Sequence, residues 1–259
     1  MNNAIRIVLA LAALGLLFPS AAFAEPSGLE IMTKVYERPT GTDQEADLTM
    51  SLIDRSGSER VRKIHQLLRD FGAVEKKIMF FQTPADVRNT SFMNWSYDDG
   101  RDDDQWIYLP ALKKVKRISS DSKSDYFMGS DFTYDDLGDR HPNKDKHRVL
   151  REETLEGETC YVVESTPKNS DYMYSRTVTW VIKDKWIGLK REFYDEDGDS
   201  LKTLSVKSFK KIGVFWIIVH SEMHNTQKDH RTIMKLENVL IDKGVDKSQF
   251  TERMMKRGM

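Results

Sequence analysis

The feature that most constrains this chain is a long succession of short segments in which apolar and polar residues alternate. Period-two alternation predicts β-strands, because successive side chains of a strand point to opposite faces of the sheet. The strand candidates lie at 48–52, 60–69, 73–82, 91–97, 104–109, 113–118, 147–153, 159–165, 176–183, 187–195, 201–210, 214–224 and 230–240.

Short turns rich in Asp and Gly separate these segments, and no segments of helical period alternate with them. The turns at 98–103, 155–159 and 195–200 are examples, and they favour an antiparallel meander over βαβ units. A sheet of this size curls or closes as its twist accumulates. Strand 214–224 is apolar on both faces, so part of this apolar surface must line a cavity, pack on itself as a barrel or bind an apolar partner.

Two helices are predicted, one at each end of the strand region. After Ser27 as N-cap, apolar residues recur at helical spacing as far as Tyr36, and Pro39 ends the run. Near the C-terminus, Asp246 is predicted to cap a short helix within 246–259.

The first residues have the organisation of a secretory signal. Arg6 precedes an apolar run from Ile7 to Phe18, and Ala22-Phe23-Ala24 has the small-x-small form of a signal-peptidase site. We therefore predict a cleaved signal peptide over 1–24 and a single domain over 25–259, in the periplasm if the source is bacterial. Cys160 is the single cysteine, so stability must come from the core and not from an intramolecular disulfide.

Charge and motifs indicate no nucleic-acid partner, metal, cofactor or catalytic site. The 40 Lys and Arg nearly balance the 41 Asp and Glu, and both signs are interspersed. The acidic runs 98–104 and 195–199 surround glycines and are interpreted as solvated turns. His220 and His224 would converge on a metal if they were on a helix, but their strand pattern separates them. No nucleophile motif occurs, so we predict a non-enzymatic protein.

Aromatic residues concentrate in the middle third, above all in "DYFMGSDFTYDDL" at 125–137. This stretch is open to interpretation as an acidic metal loop, an aromatic recognition surface or a strand with polar edges. Its aspartates lack ligand spacing and are interpreted as edge and turn positions, with Gly129 allowing a bend. Met and aromatic side chains together suit an adaptable apolar lining. The predicted ligand-binding residues, at the cavity or its rim, are Trp106, Tyr108, Leu109, Tyr126, Phe127, Met128, Phe132, Trp180 and Trp216.

The stretch "WIYLPALKKVKRIS…DYFMGSDFTYDDL" resembles the LolA-like outer-membrane lipoprotein-sorting protein family. The matching residues are Trp106, Tyr108, Leu109, Pro110, Lys116, Arg117, Ile118, Phe127, Met128, Gly129, Ser130, Asp131, Phe132, Asp136 and Leu137. The resemblance continues through "YVVESTPK" at 161–168, the "WVIKDKWIGLKREFYDEDG" hairpin and "FTERMMKRG" near the C-terminus.

The resemblance implies a mainly β fold, a strongly curved antiparallel sheet forming an unclosed half-barrel with a few helices packed on its concave face. It also implies a non-enzymatic periplasmic carrier that binds a lipid or lipoprotein acyl chains in an apolar cavity. The partners that it implies are an inner-membrane exporter, of the resistance-nodulation-division type in one subgroup, and an outer-membrane acceptor. The alternative hypothesis is an accessory docking subunit of an envelope transport complex without lipid cargo of its own.

Overall fold

The computed structural model describes residues 25–259, so the predicted signal peptide over 1–24 lies outside the described residues. The chain begins with helix α1 (Gly28–Tyr36) and ends with helix α2 (Glu252–Arg257). The strands are β1 (Asp43–Ile53), β2 (Glu59–Asp70), β3 (Val74–Thr83), β4 (Ser91–Tyr97), β5 (Asp104–Leu109), β6 (Lys114–Arg117), β7 (Asp145–Leu155), β8 (Glu158–Pro167), β9 (Arg176–Ile182), β10 (Gly188–Tyr194), β11 (Ser200–Ile212), β12 (Phe215–Asn225) and β13 (His230–Ile241).

All thirteen strands belong to one antiparallel sheet, which confirms the meander predicted from period and turns. The spatial order is β6-β5-β4-β3-β2-β1-β13-β12-β11-β10-β9-β8-β7. The first and last strands join the two halves, with Met50 opposite Met234 and Leu48 opposite Leu236. Strands β6 and β7 are the two edges, so the sheet is not closed into a barrel. This is the predicted fold class, mainly β with an unclosed sheet.

The order of the strands dictates the path of the chain between β6 and β7. These two strands follow one another in sequence but lie at opposite edges of the sheet, so residues 118–144 must cross a whole face. We call this connection the central segment, and we call the face that it crosses the inner face. It contains four short 3₁₀ turns in place of regular structure: Ser120–Ser124, Phe127–Gly129, Asp135–Leu137 and Pro142–Lys144.

Helix α1 forms as predicted and packs on the inner face beside β7. The Ser27 side chain accepts from the Glu30 amide while the Glu30 carboxylate accepts from the Ser27 amide, which is a capping box. Ile31 is fully buried against Val163 and Val181 of β8 and β9. A side chain added at Gly28 would meet the His147 backbone of β7 at 2.8 Å, so the helix start needs a glycine for this close approach.

Helix α2 differs from the prediction in its cap and in its position. Asp246 caps a separate 3₁₀ turn, Lys247–Gln249, and the α-helix begins only after Thr251, whose hydroxyl accepts from the Met254 amide. Met255 is fully buried with Phe80 and other residues of the face opposite to the central segment. The two helices therefore lie on opposite faces, because each half of the sheet leaves a different apolar face to be covered.

Candidate ligand-binding site

The central segment supplies the aromatic centre of the inner-face core. Phe127 is fully buried, and its ring centroid lies 5.9 Å from that of Phe81, 5.1 Å from Phe92 and 5.5 Å from Tyr134. Phe132 is buried in the same cluster. Such tilted and edge-on ring pairs stabilise beyond the area they bury. The segment thus fills the inner face of the sheet.

A tight loop at 127–132 brings these side chains to the sheet. The Phe127 amide donates to the Phe132 carbonyl at 2.7 Å. Met128 and Gly129 both have left-handed backbone, with φ of 51° and 74°, and this reverses the chain. Glycine adopts this conformation freely, whereas Met128 does so at a steric cost of about 1 kcal/mol. Arg62 of β2 donates to the Met128 carbonyl at 2.5 Å, which holds the strained residue in place.

A buried ion pair anchors the segment to β11. The Lys202 ammonium lies 2.5 Å from Asp136 Oδ2 and also donates to the Asp131 carbonyl at 3.0 Å. The Lys202 side chain is 0% exposed and that of Asp136 is 6% exposed. Tyr174 donates its hydroxyl to the same carboxylate at 3.0 Å. A charge withdrawn from water needs such partners, because its desolvation costs several kcal/mol.

Asp131 forms a second buried anchor, on β13. Its Oδ2 accepts from the Thr232 hydroxyl at 2.7 Å and lies 2.7 Å from His230 Nδ1. Its amide donates back to the Thr232 hydroxyl at 2.9 Å. Asp131 and Asp136 are therefore anchors and not exposed edge positions, although Asp136 does lie in a turn, Asp135–Leu137, as the interpretation of edge and turn positions allowed. Lys202 lies 66 residues from Asp136, and Thr232 lies 101 residues from Asp131. Local sequence patterns carry no signal for contacts over such separations.

Further contacts hold the far end of the segment. Lys77 of β3 donates to the Leu137 carbonyl at 2.9 Å, and Gln105 of β5 donates to the Tyr134 carbonyl at 2.8 Å. The Tyr172 hydroxyl donates to Asp135 at 2.5 Å. Burial raises the pKa of the Asp135 carboxyl, and the bond from Tyr172 partly offsets this. Polar contacts to several strands thus define one position for the segment.

In the acidic run at 98–104, Asp98, Asp99 and Asp102 are exposed as a solvated turn implies, whereas Asp103 is half-buried. Asp103 accepts from Asn94 at 3.0 Å, from the Ser96 hydroxyl at 2.8 Å and from the Asp139 amide at 3.1 Å. Burial raises the pKa of its carboxyl, although these hydrogen bonds lower it. Asp103 thereby ties β4 to the end of the central segment.

Eight of the nine predicted ligand-binding residues fall in three places, and Leu109 lies apart from them. Phe127, Met128 and Phe132 meet at the inner-face core, and Tyr126 lies at its border. Trp106 and Tyr108 point to the opposite face. There the Trp106 ring packs on that of Trp95 at 5.0 Å, under α2.

The remaining predicted residues lie elsewhere again. Trp180 is 5% exposed and shares a third cluster with Trp216 and the fully buried Cys160. Leu109 is half-buried at the end of β5. The structure therefore does not bring the nine residues into one cavity. Neighbours along a strand such as Trp106 and Ile107 face opposite sides, which separates residues that are adjacent in sequence.

An open cleft of about 600 Å³ lies where the central segment meets the β1–β2 and β12–β13 turns. Its lining residues are Asp54, Arg55, Ser56, Tyr126, Gly129, Ser130, Asp131, Gln227, Lys228 and His230. Of these, only Tyr126 was among the predicted ligand-binding residues. Gly129, Ser130 and Asp131 lie in the stretch 125–137 that the sequence singled out, whereas the residues of the two turns were missed because these turns are far apart in sequence. Arg55 and Lys228, the basic residues of these turns, were the available signal.

Two further properties concern the part of the chain that the structure describes. Over residues 25–259, neither helix has the length and apolar character that crossing a membrane requires. Within the same range, no group of three or more His, Cys, Asp or Glu side chains is arranged to hold a metal ion.

Comparisons with known proteins place this architecture. A family model described only as that of an uncharacterized protein matches residues 73–257. A domain from Vibrio parahaemolyticus assigned to the outer-membrane lipoprotein-sorting proteins is 34% identical, with a TM-score of 0.83 over 89% of this chain and 98% of that one. A DUF1329 family protein from Desulfovibrio piger is 30% identical, with a TM-score of 0.82 over 88% and 97%. No curated protein matches the chain.

The fold itself recurs at lower identity. A LolA superfamily protein from Nitrosomonas europaea is 18% identical, with a TM-score of 0.68 over 89% of this chain and all of that one. The open sheet thus defines a protein of the LolA fold class. By its identity to the Vibrio and Desulfovibrio proteins, the chain belongs to the LolA-like outer-membrane lipoprotein-sorting protein family.

Proposed function

We propose that this protein is a non-enzymatic periplasmic carrier that shields the acyl chains of a lipid or lipoprotein between the inner face of its sheet and the central segment. The observation that carries the proposal is how the inner face is covered. Beside helix α1, the irregular central segment crosses it and inserts aromatic side chains such as Phe127 into the core. The family relationship supports the same role, since the Vibrio relative is assigned to lipoprotein sorting.

The chemistry of this layer suits acyl chains. Phe127, Met128 and Phe132 present apolar and polarizable surface with few polar atoms, and burying an acyl chain yields about 0.8 kcal/mol per methylene. Because protein interiors are close-packed, an acyl chain enters this layer only if some of these side chains move aside. We propose Tyr126, Phe127, Met128 and Phe132 as the residues that the chain contacts. An inner-membrane exporter and an outer-membrane acceptor would supply and receive the cargo.

Photocrosslinking tests this proposal directly. A photoreactive amino acid replaces Met128 in one preparation and Val214, which is 77% exposed, in the matched control. Both proteins are irradiated in the periplasm and analysed by mass spectrometry. We expect lipid or lipoprotein adducts at position 128 and none at position 214. Protein adducts alone at position 128 would favour the docking-subunit hypothesis instead. An absence of lipid adducts, together with no binding of a fluorescent fatty acid, would rule out the carrier.

A further inference from the structure

The cleft beside Tyr126 carries two carboxylates, those of Asp54 and Asp131, that accept hydrogen bonds from the protein. Asp54 accepts from the Ser56 amide at 2.8 Å, the Ser56 hydroxyl at 2.6 Å and the Ser58 amide at 3.1 Å. Asp131 is held by His230 and by the hydroxyl of a β13 threonine. Asp131 is buried, whereas Asp54 is exposed and uses only its Oδ1 for these three bonds.

The basic side chains of the cleft are in the opposite situation. Arg55 and Lys228 form no ion pair within residues 25–259. The Lys228 ammonium lies 3.8 Å from the centroid of the Tyr126 ring, and its turn is fixed by a bond from its amide to Asn225 at 3.0 Å. An exposed turn on each side of the cleft thus presents one unpaired cation. Two unpaired cations that face the same space attract an anion.

The shape of the cleft leaves room for such an anion next to the apolar core. The position that a Cβ would take at Gly129 has no atom within 4 Å, so the space above this part of the floor is open. Tyr126 lines the cleft, and the two residues that follow it, Phe127 and Met128, belong to the inner-face core or pack against it. A molecule with an anionic group and an acyl chain would therefore place each part in a matching environment.

We infer that this cleft binds a phosphate group through Arg55 and Lys228, and that the phosphate is the headgroup of the lipid cargo. The guanidinium of arginine matches two phosphate oxygens at once, and lysine adds a point charge. The second half of this inference rests on the proposed carrier function. On this inference the cargo is a lipid that carries a phosphate group and not a neutral lipid.

The test compares two fluorescent lipids with the same acyl chains, phosphatidylglycerol and diacylglycerol, on the protein comprising residues 25–259. Inorganic phosphate and glycerol 3-phosphate are titrated separately to detect the anion site without an acyl chain. The variant is Arg55→Gln with Lys228→Gln. The matched control is Lys207→Gln with Lys210→Gln, two exposed lysines of β11. Circular dichroism and thermal unfolding verify that both variants fold.

We expect the wild type and the control to bind phosphatidylglycerol more tightly than diacylglycerol. Loss of a charge-assisted hydrogen bond changes an affinity roughly tenfold or more. The cleft variant should therefore bind phosphatidylglycerol and glycerol 3-phosphate at least about tenfold more weakly, with its diacylglycerol affinity unchanged. Equal binding of both lipids, insensitive to the cleft variant, would overturn the phosphate site and leave the carrier function standing.

The remaining outcomes are also distinct. If neither lipid binds, the carrier function fails, and the headgroup assignment fails with it. Binding of inorganic phosphate that is lost in the cleft variant would then support a site for a free phosphate compound. If inorganic phosphate, glycerol 3-phosphate and phosphatidylglycerol all fail to bind, the whole inference is wrong.

Discussion

The ammonium of Lys202 lies 2.5 Å from Oδ2 of Asp136, and both side chains are withdrawn from solvent. This ion pair joins β11 to the central segment across 66 residues of sequence. Three aromatic rings, those of Tyr126, Tyr174 and Phe193, surround the ammonium at 5.2 to 5.6 Å from their centroids. The charge therefore has cation–π partners as well as its carboxylate.

Replacing Lys202 with Met should destabilise the protein strongly. The substitution leaves the Asp136 carboxylate buried without its counter-charge, which costs about 3–5 kcal/mol in comparable cases. Urea denaturation followed by tryptophan fluorescence measures the change. Lys210→Met, at an exposed position of the same strand, is the control and should remain within about 0.5 kcal/mol of the wild type.

The double variant Lys202→Met with Asp136→Leu separates the cost of the lone carboxylate from the worth of the pair. We expect it to recover part of the stability lost in the single variant, since an apolar pair often replaces a buried ion pair without loss. A Lys202→Met protein that loses less than about 1 kcal/mol would show that the pair does not anchor the segment.

Truncating Phe127 to Ala should both destabilise the protein and open space in the inner-face core. Phe127 is fully buried among aromatic rings, and removing such a ring costs about 3–5 kcal/mol. If the protein stays folded, we expect it to bind an apolar fluorescent dye more strongly than the wild type. Leu112→Ala, at a side chain that is 49% exposed, should change neither property. Unaltered stability in Phe127→Ala would contradict the packing.

Glu75 should make stability depend on pH in a defined direction. Burial, with a further contribution from Asp139, raises the pKa of its carboxyl from 4.5 to about 7. The folded protein then holds this proton more tightly than the unfolded chain. The group therefore stabilises the fold below pH 4.5, and that contribution is lost as the pH rises through about 7.

Glu75→Gln removes this dependence. Relative to the wild type, the variant should gain stability as the pH is raised from about 5 to about 8. Denaturant midpoints measured across that range test this. Other carboxyls contribute to both proteins alike, so only the difference between the two curves is informative. A difference that does not change with pH would refute the raised pKa.

Cys160 should be unreactive in the folded protein. Its side chain is fully buried, and burial raises the pKa of its thiol to about 11, so little reactive thiolate is present near neutral pH. Labelling with a chromogenic disulfide reagent at about pH 8 should be slow in buffer and rapid in denaturant. Equal rates in both conditions would place the thiol at the surface.

The strands and turns could be predicted because their signals are local. The thirteen strand candidates correspond to the thirteen strands, most of them through period-two alternation, and the runs around Gly157 and Gly198 mark turns that the structure contains. The end of α1 followed from Pro39. The cap of α2 was predicted to be Asp246, but it is Thr251. Both residues precede a helical turn, and the sequence does not show that only the turn after Thr251 continues as an α-helix.

The candidate site was accessible to sequence only in part. Its aromatic content was visible in 125–137, and the resemblance identified the family. The contacts of Asp131 and Asp136 with His230 and Lys202, and the cleft formed with Arg55, were not visible. They arise where distant turns and strands meet, and neither spacing nor composition records which distant residues share that space.

By itself, the sequence determined the strand count, the mainly β class and the alternating pattern of most strands, since these depend on interactions between near neighbours in the chain. The tertiary structure decided which apolar residues meet. Placing β6 and β7 at opposite edges forces the central segment across the inner face. That crossing turns two aspartates of "DYFMGSDFTYDDL", Asp131 and Asp136, into anchors, because it lays them against Thr232 of β13 and Lys202 of β11.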